Sequence, residues 1–128
     1  MRALEFRAWW KDKKRFLDGD EWYMTCSGAK HLHYAIMPYS DDDFIVEQYT
    51  GLKDKNGKKI YQGDIVLDCY DGEDTFIVKW DKDAVSFILT DTDNILNVSF
   101  DNFYPDKYLE IIGNIHENQE LLEIKNEI

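Results

Sequence analysis

The chain has 128 residues, 44% hydrophobic and 15% aromatic, which suits one domain with a real core and excludes global disorder. Its formal net charge of −11 repels phosphate backbones unless a basic patch is segregated, so nucleic acid is an unfavoured partner. No run approaches the roughly 18 apolar residues of a membrane span, and charges interrupt the opening MRALEFRAWWKDKKRF too often for a signal peptide, so a cytoplasmic protein without a membrane partner is expected.

The dominant period along the chain is two. In LEFRAWW, Leu4, Phe6, Ala8 and Trp10 share one face of a strand, and Glu5, Arg7 and Trp9 share the other. Trp9 and Trp10 thus point to opposite faces, and one sheet face alone cannot bury both. This predicts an interface residue in the pair and a homo-oligomer, most simply a symmetric dimer. Lys11 to Lys14 reads as a turn, and Phe16-Leu17 as the start of a returning strand. Residues 22–37 are aromatic-rich but irregular, and Met37-Pro38 with Ser40 to Asp43 marks a loop. Phe44 to Tyr49 is the next strand.

The stretch YTGLKDKNGKKIYQGDIV, Tyr49 to Val66, is the most distinctive. Asn56-Gly57 is a favoured two-residue hairpin turn, because both residues accept positive φ. Centring the turn there pairs Lys55 with Lys58, Asp54 with Lys59 and Leu52 with Tyr61. Gly63-Asp64 forms a tight corner before the buried run Ile65-Val66-Leu67, and Thr50-Gly51 can do the same on the incoming side. Lys53, Lys55, Lys58 and Lys59 gather around the tip. They could touch phosphates, but a solvated hairpin tip needs such residues anyway. With no helix following Gly57 or Gly63, a phosphate loop is not on offer.

Further on, TFIVKW puts Phe76, Val78 and Trp80 on one face. A four-residue loop, Asp81 to Ala84, leads to VSFIL, with Val85, Phe87 and Leu89 on one face. After a turn at Asp91 to Asn94, ILNVSF makes a third strand, and Pro105-Asp106 breaks the chain. YLEIIGNIHE is a last strand in which Gly113 marks a bulge or a close backbone approach. The tail NQELLEIKNEI is helical, with Asn118 as cap, Glu120 at the positive end and Leu121, Leu122 and Ile124 docking. The fold class is therefore mainly β: a small barrel-like or curled antiparallel sheet domain. It comprises an N-terminal β lobe over 1–47, a barrel-like lobe over 48–128 and a short C-terminal helix.

Charge is uneven. Residues 1–34 carry net +2 and residues 67–128 net −11. The acidic half reads as a solvated face, with mimicry of DNA phosphates as the sharper alternative. The basic first part also holds Trp9, Trp10, Trp22, Tyr23 and Tyr34, an interleaving that single-stranded nucleic acid could use but that equally suits a core and a protein interface.

The run QYTGLKDKNGKKIYQGDIV at 48–66 occurs in order with LEFRAWWKDKKRF at 4–16, FIVKWD at 76–81 and IIGNIHENQELLE at 111–123. Together they resemble the YopX family of phage and prophage proteins over nearly the whole chain. Trp10 stands where the family usually has Asp, and Gln119 where it usually has Pro. The resemblance implies a compact, mainly-β, phage- or prophage-encoded protein acting in the host cytoplasm. It assigns no catalytic residue. The motif residues Tyr49, Thr50, Gly51, Asn56, Gly57, Gly63, Asp64, Gly113 and Asn114 are expected to build the fold.

His31 and His33 could share a strand face as metal ligands, with His116 or an aspartate as a third, but no local third ligand is evident. Asp41-Asp42-Asp43 lacks the spacing of a calcium loop. Cys26 and Cys69 have no metal spacing and read as reduced thiols. Ser27, Cys26 and His31 resemble no nucleophile setting. The expectation is no cofactor, no metal and no catalytic residue. The expected function is a non-catalytic protein-binding or regulatory module with a host or phage protein as partner. The alternative is a nucleic-acid-associated β-barrel, followed by an enzyme.

Overall fold

The structure, a computed structural model, describes residues 5–17, 44–70, 72, 74–92, 97–100 and 103–123. It is mainly β, as the period of two predicts. The chain divides into two compact units, Glu5–Glu47 and the chain from Gln48 onward.

In the first unit, β1 (Phe6–Trp10) and β2 (Arg15–Phe16) pair with Trp9 opposite Phe16 and Trp10 opposite Arg15. The Lys14 N–H closes the loop on the Trp10 carbonyl at 2.8 Å, and Lys14 takes a left-handed φ of 53°. The first residues of β3 (Phe44–Lys53) complete this unit. Both tryptophans are buried, Trp9 at 7% and Trp10 at 9% exposure. Trp9 stacks edge-on against Phe16 at 5.0 Å, and Trp10 packs on Phe44 at 5.6 Å with Leu17 alongside. The expectation that one of them needs a second copy of the chain to cover it loses its premise: each face has its own apolar cover. Arg7 meets Glu47, which is 3% exposed, at 2.9 Å, and lies 4.6 Å over the Phe16 ring.

In the second unit, β3 continues to Lys53, beyond the expected end at Tyr49, and pairs with β4 (Lys59–Tyr61). There follow β5 (Asp64–Asp68), β6 (Thr75–Asp81), β7 (Ser86–Asp91), β8 (Asn97–Ser99), a one-turn helix α1 (Pro105–Tyr108), β9 (Leu109–Asn114) and α2 (Glu120–Glu123). Two antiparallel sheets result, ordered β2-β1-β3-β4 and β8-β7-β6-β5-β9, the second of them curled. The core of the second unit is Ile60, Val66, Phe76, Val78, Leu89, Phe100 and Leu109, of which Ile60, Val66, Val78, Leu89 and Leu109 are wholly buried.

Several expectations shift by a residue or an element. The β6–β7 ladder closes on Asp81 and Ser86, so the loop is Lys82 to Val85. The Asp81 carboxylate sets this start by accepting the Asp83 N–H at 3.0 Å. Val85 is thus not the first strand residue but the last loop residue, 70% exposed with φ 52°. Trp80, grouped with Phe76 and Val78 by alternation, lies past the core and is 44% exposed. Pro105 does not merely break the chain; it opens α1, where its fixed φ and missing N–H suit the first helical position. The Asn118 side chain does not cap α2 as expected: its Oδ1 accepts the Asn114 N–H at 3.1 Å, and backbone carbonyls of Asn118 and Gln119 receive Leu121 and Leu122. Ile124, His31, His33, Cys26, Ser27 and Asp41 to Asp43 lie outside the described residues.

Candidate functional site

Tyr49 is buried in β3 against Tyr61 at 5.6 Å, with the Lys59 ammonium 5.6 Å from its ring. Between Tyr49 and Lys53 the ladder bulges. Gly51 provides the left-handed turn at φ 91°, and the Thr50 hydroxyl donates to the Ile60 carbonyl at 2.8 Å and accepts the Leu52 N–H at 3.1 Å. Gly63 has φ 91°, donates to Val78 and accepts from Ile115. Beside it Asp64, 2% exposed, accepts the Tyr61 N–H at 2.8 Å. A Cβ on Gly113 would lie 2.5 Å from the Asn118 Oδ1, so the close approach expected there is made by a side chain. Asn114 folds the following turn, its Oδ1 accepting the His116 and Glu117 N–H groups.

The hairpin tip differs from the two-residue turn expected at Asn56-Gly57. Lys53 pairs with Lys59, the Asp54 N–H donates to Lys58, and the Gly57 N–H donates to the Asp54 carbonyl. This is a three-residue loop of Lys55, Asn56 and Gly57, with Gly57 left-handed at φ 81° in the bulge position. The cause is Asp54, which is a loop residue rather than the strand partner of Lys59 that a two-residue turn predicts. It is 2% exposed; its Oδ1 accepts the Asn56 and Lys58 N–H groups, and its Oδ2 accepts the Ile111 N–H at 3.0 Å. The Lys55 N–H adds a bond to the Leu109 carbonyl at 2.9 Å. One carboxylate thus shapes the loop and fastens it to β9. An Asp at the first position of a type I turn was the available signal.

The functional candidate lies where β5 ends and β9 begins. Asp68 pairs with Leu109 there, and the Cys69 N–H donates to the Tyr108 carbonyl at 2.6 Å. That pairing brings the β5 exit beside α1. Around it opens a cavity of about 340 Å³ lined by Asp68, Tyr70, Phe103, Tyr104 and Tyr108. Phe103 roots one wall in the core, edge-on to Phe76 at 5.4 Å. Tyr108 stands nearly perpendicular to both other tyrosines, 5.4 Å and 84° from Tyr70, and 6.2 Å and 72° from Tyr104. Tyr70 and Tyr104 are 76% and 63% exposed. Asp68, by contrast, is 8% exposed, and its Oδ1 accepts the Tyr70 N–H at 3.0 Å.

None of these five residues was singled out in the sequence. The signals were a Tyr pair at i, i+4 around Pro105, which shares a face only once α1 is known, and a turn after β5. Cys69 is a free, half-buried thiol whose Sγ lies 3.8 Å from the Leu67 carbonyl. Among the described residues no cluster of three His, Cys, Asp or Glu is placed to hold a metal ion, and no helix is long and apolar enough to cross a membrane.

The two antiparallel sheets and short helices define a mainly-β protein with a small aromatic pocket. The chain belongs to the YopX family: the model described as YopX protein matches residues 5–123. It is similar to protein EF1440 from Enterococcus faecalis, known from a crystal structure, with a TM-score of 0.61 and 25% identity over 96% of this chain and 100% of that one. No curated protein matches the chain.

Proposed function

We propose that the protein is a phage- or prophage-encoded binding module of the host cytoplasm, without catalysis, that holds a partner protein at the pocket of Asp68, Tyr70, Phe103, Tyr104 and Tyr108. One observation carries this: two tyrosines stay 76% and 63% exposed around a carboxylate that is 8% exposed. Tyrosine rings on solvent cost little entropy to immobilise and are enriched at protein interfaces. Single-stranded nucleic acid fits the described surface less well. The aromatic first unit buries Trp9 and Trp10, and Arg15 and Lys13 already lie 5.2 and 5.8 Å over the Trp10 ring.

The test is capture from a bacterial host lysate with the wild type and with Tyr70→Ser/Tyr104→Ser, a pair exposed enough to leave the fold intact by circular dichroism. A host protein retained by the wild type and lost by the variant supports the proposal. Equal retention by both, or recovery abolished by nuclease, refutes it.

A further inference from the structure

We infer that the pocket takes the guanidinium group of an arginine side chain from the partner protein. The inference rests on the binding-module reading above and names the chemistry of the same site. Asp68 is the starting point. A carboxylate so buried needs compensation, and its Oδ1 has it from the Tyr70 N–H. Among the described residues no donor reaches Oδ2, which is left open to solvent rather than sealed without a partner, and Asp68 is one of the residues lining the cavity. The pocket therefore offers an anionic acceptor to whatever enters.

The rings around it favour a cation. Tyr70, Tyr104 and Tyr108 are arranged in two near-perpendicular pairs, so faces and edges of aromatic rings enclose the opening from more than one side. Aromatic faces attract cations through their negative quadrupole. Tyr104 already does so within the chain, with the Lys107 ammonium 5.8 Å from its ring centroid. The net −11 of residues 67–128 draws a basic segment toward this half of the molecule.

Among cationic side chains arginine matches best. Its guanidinium is planar, more weakly hydrated than an ammonium, stacks on rings and forks onto a carboxylate. A cavity of about 340 Å³ accepts that group with part of its methylene stem.

The experiment uses the full chain and follows tyrosine ring signals by NMR. The probes are N-acetyl-arginine amide, its neutral isostere N-acetyl-citrulline amide, N-acetyl-lysine amide and tetramethylammonium. The arginine probe is expected to saturate shifts of Tyr70, Tyr104 and Tyr108 and to bind about tenfold tighter than citrulline, with the difference shrinking as salt rises. Asp68→Asn keeps the Oδ1 acceptor for Tyr70 and should bring arginine down to the citrulline level. Tyr104→Leu, at an exposed position, should weaken arginine by about threefold if the ring supplies a cation–π contact, and stands in if the Asp68 variant fails to fold. Equal binding of arginine and citrulline overturns the inference, as does tighter binding of lysine or tetramethylammonium, or no ring shift with any probe. If partner capture still depends on Tyr70 and Tyr104 when the arginine probe fails, only this inference falls. If capture ignores those tyrosines, the reading beneath it falls.

Discussion

Replacing Asp54 by Ala removes three acceptor contacts at once. The carboxylate is 2% exposed and takes the N–H groups of Asn56, Lys58 and Ile111. Hydrogen bonds to a charged group contribute about 1.5–3 kcal/mol each. Asn56 and Lys58 are exposed, so water can re-solvate their N–H groups after the substitution; Ile111 is half-buried and is less easily served. The net loss should therefore be about 3–5 kcal/mol, a large share of the 5–15 kcal/mol typical of a domain. Asp54→Asn should lose about 2–3 kcal/mol, because its amide donor would face the Ile111 donor. Reversing the neighbouring tip charges, Lys55, Lys58 and Lys59 to Glu, should cost at most about 1 kcal/mol, since these side chains are exposed. Urea unfolding of the variants, followed by far-UV circular dichroism, measures the differences directly. An Asp54→Ala loss below about 1 kcal/mol, or one no larger than that of the tip reversal, would show that the loop and β9 do not depend on this carboxylate.

Gly113→Ala should cost about 1–3 kcal/mol, because the new methyl displaces the Asn118 side chain from the Asn114 N–H; a double-mutant cycle with Asn118→Ala should then show non-additive losses, and additivity would refute the clash. Val85→Gly should raise the unfolding free energy by up to about 1 kcal/mol, read as a higher denaturation midpoint, because a β-branched residue is held left-handed in an exposed loop where it packs little; an unchanged or lower midpoint counts against that strain. Ile65→Asp should abolish a cooperative melt, since it places an unpaired charge at a position with 0% exposure, and a folded variant would contradict this. Arg7→Met should cost about 3 kcal/mol by leaving Glu47 buried without this partner, measured by thermal melting; a loss under about 1 kcal/mol would mean that other contacts hold Glu47 unaided.

Local patterns were legible where the responsible residues lie close in sequence. The alternation Phe76, Val78 and Leu89 appears directly as core, Gly63 stands where the backbone is left-handed, and Gly113 stands where the Asn118 side chain leaves no room for a Cβ. What escaped were side chains acting over distance. Asp54 looks like one more charged hairpin residue until β9, 57 positions away at Ile111, supplies a donor. The pocket escaped for the same reason. Tyr70 becomes a neighbour of Tyr108 only through the β5–β9 pairing and Tyr104 only through the turn of α1, and the acidic composition of that half masks Asp68 among many carboxylates. The tryptophan pair misled in the opposite sense: alternation correctly put the two rings on opposite faces, but Phe16 and Phe44 cover both.

Strands β5 to β8 form a meander of near neighbours, whereas β9 returns from the far end of that run to lie beside β5. The meander needs only short loops to close. Joining Leu109 to Asp68 must close roughly 40 residues of chain, a larger entropy cost, which places β9 among the last strands to dock and the first to peel away. Amide exchange should therefore be faster in β9 than in β6. Because Asp68 and Tyr70 meet Tyr108 at that junction, a ligand bound there should hold the returning strand in place and slow its release. Occupancy of the pocket and closure of the sheet are then two readouts of one equilibrium.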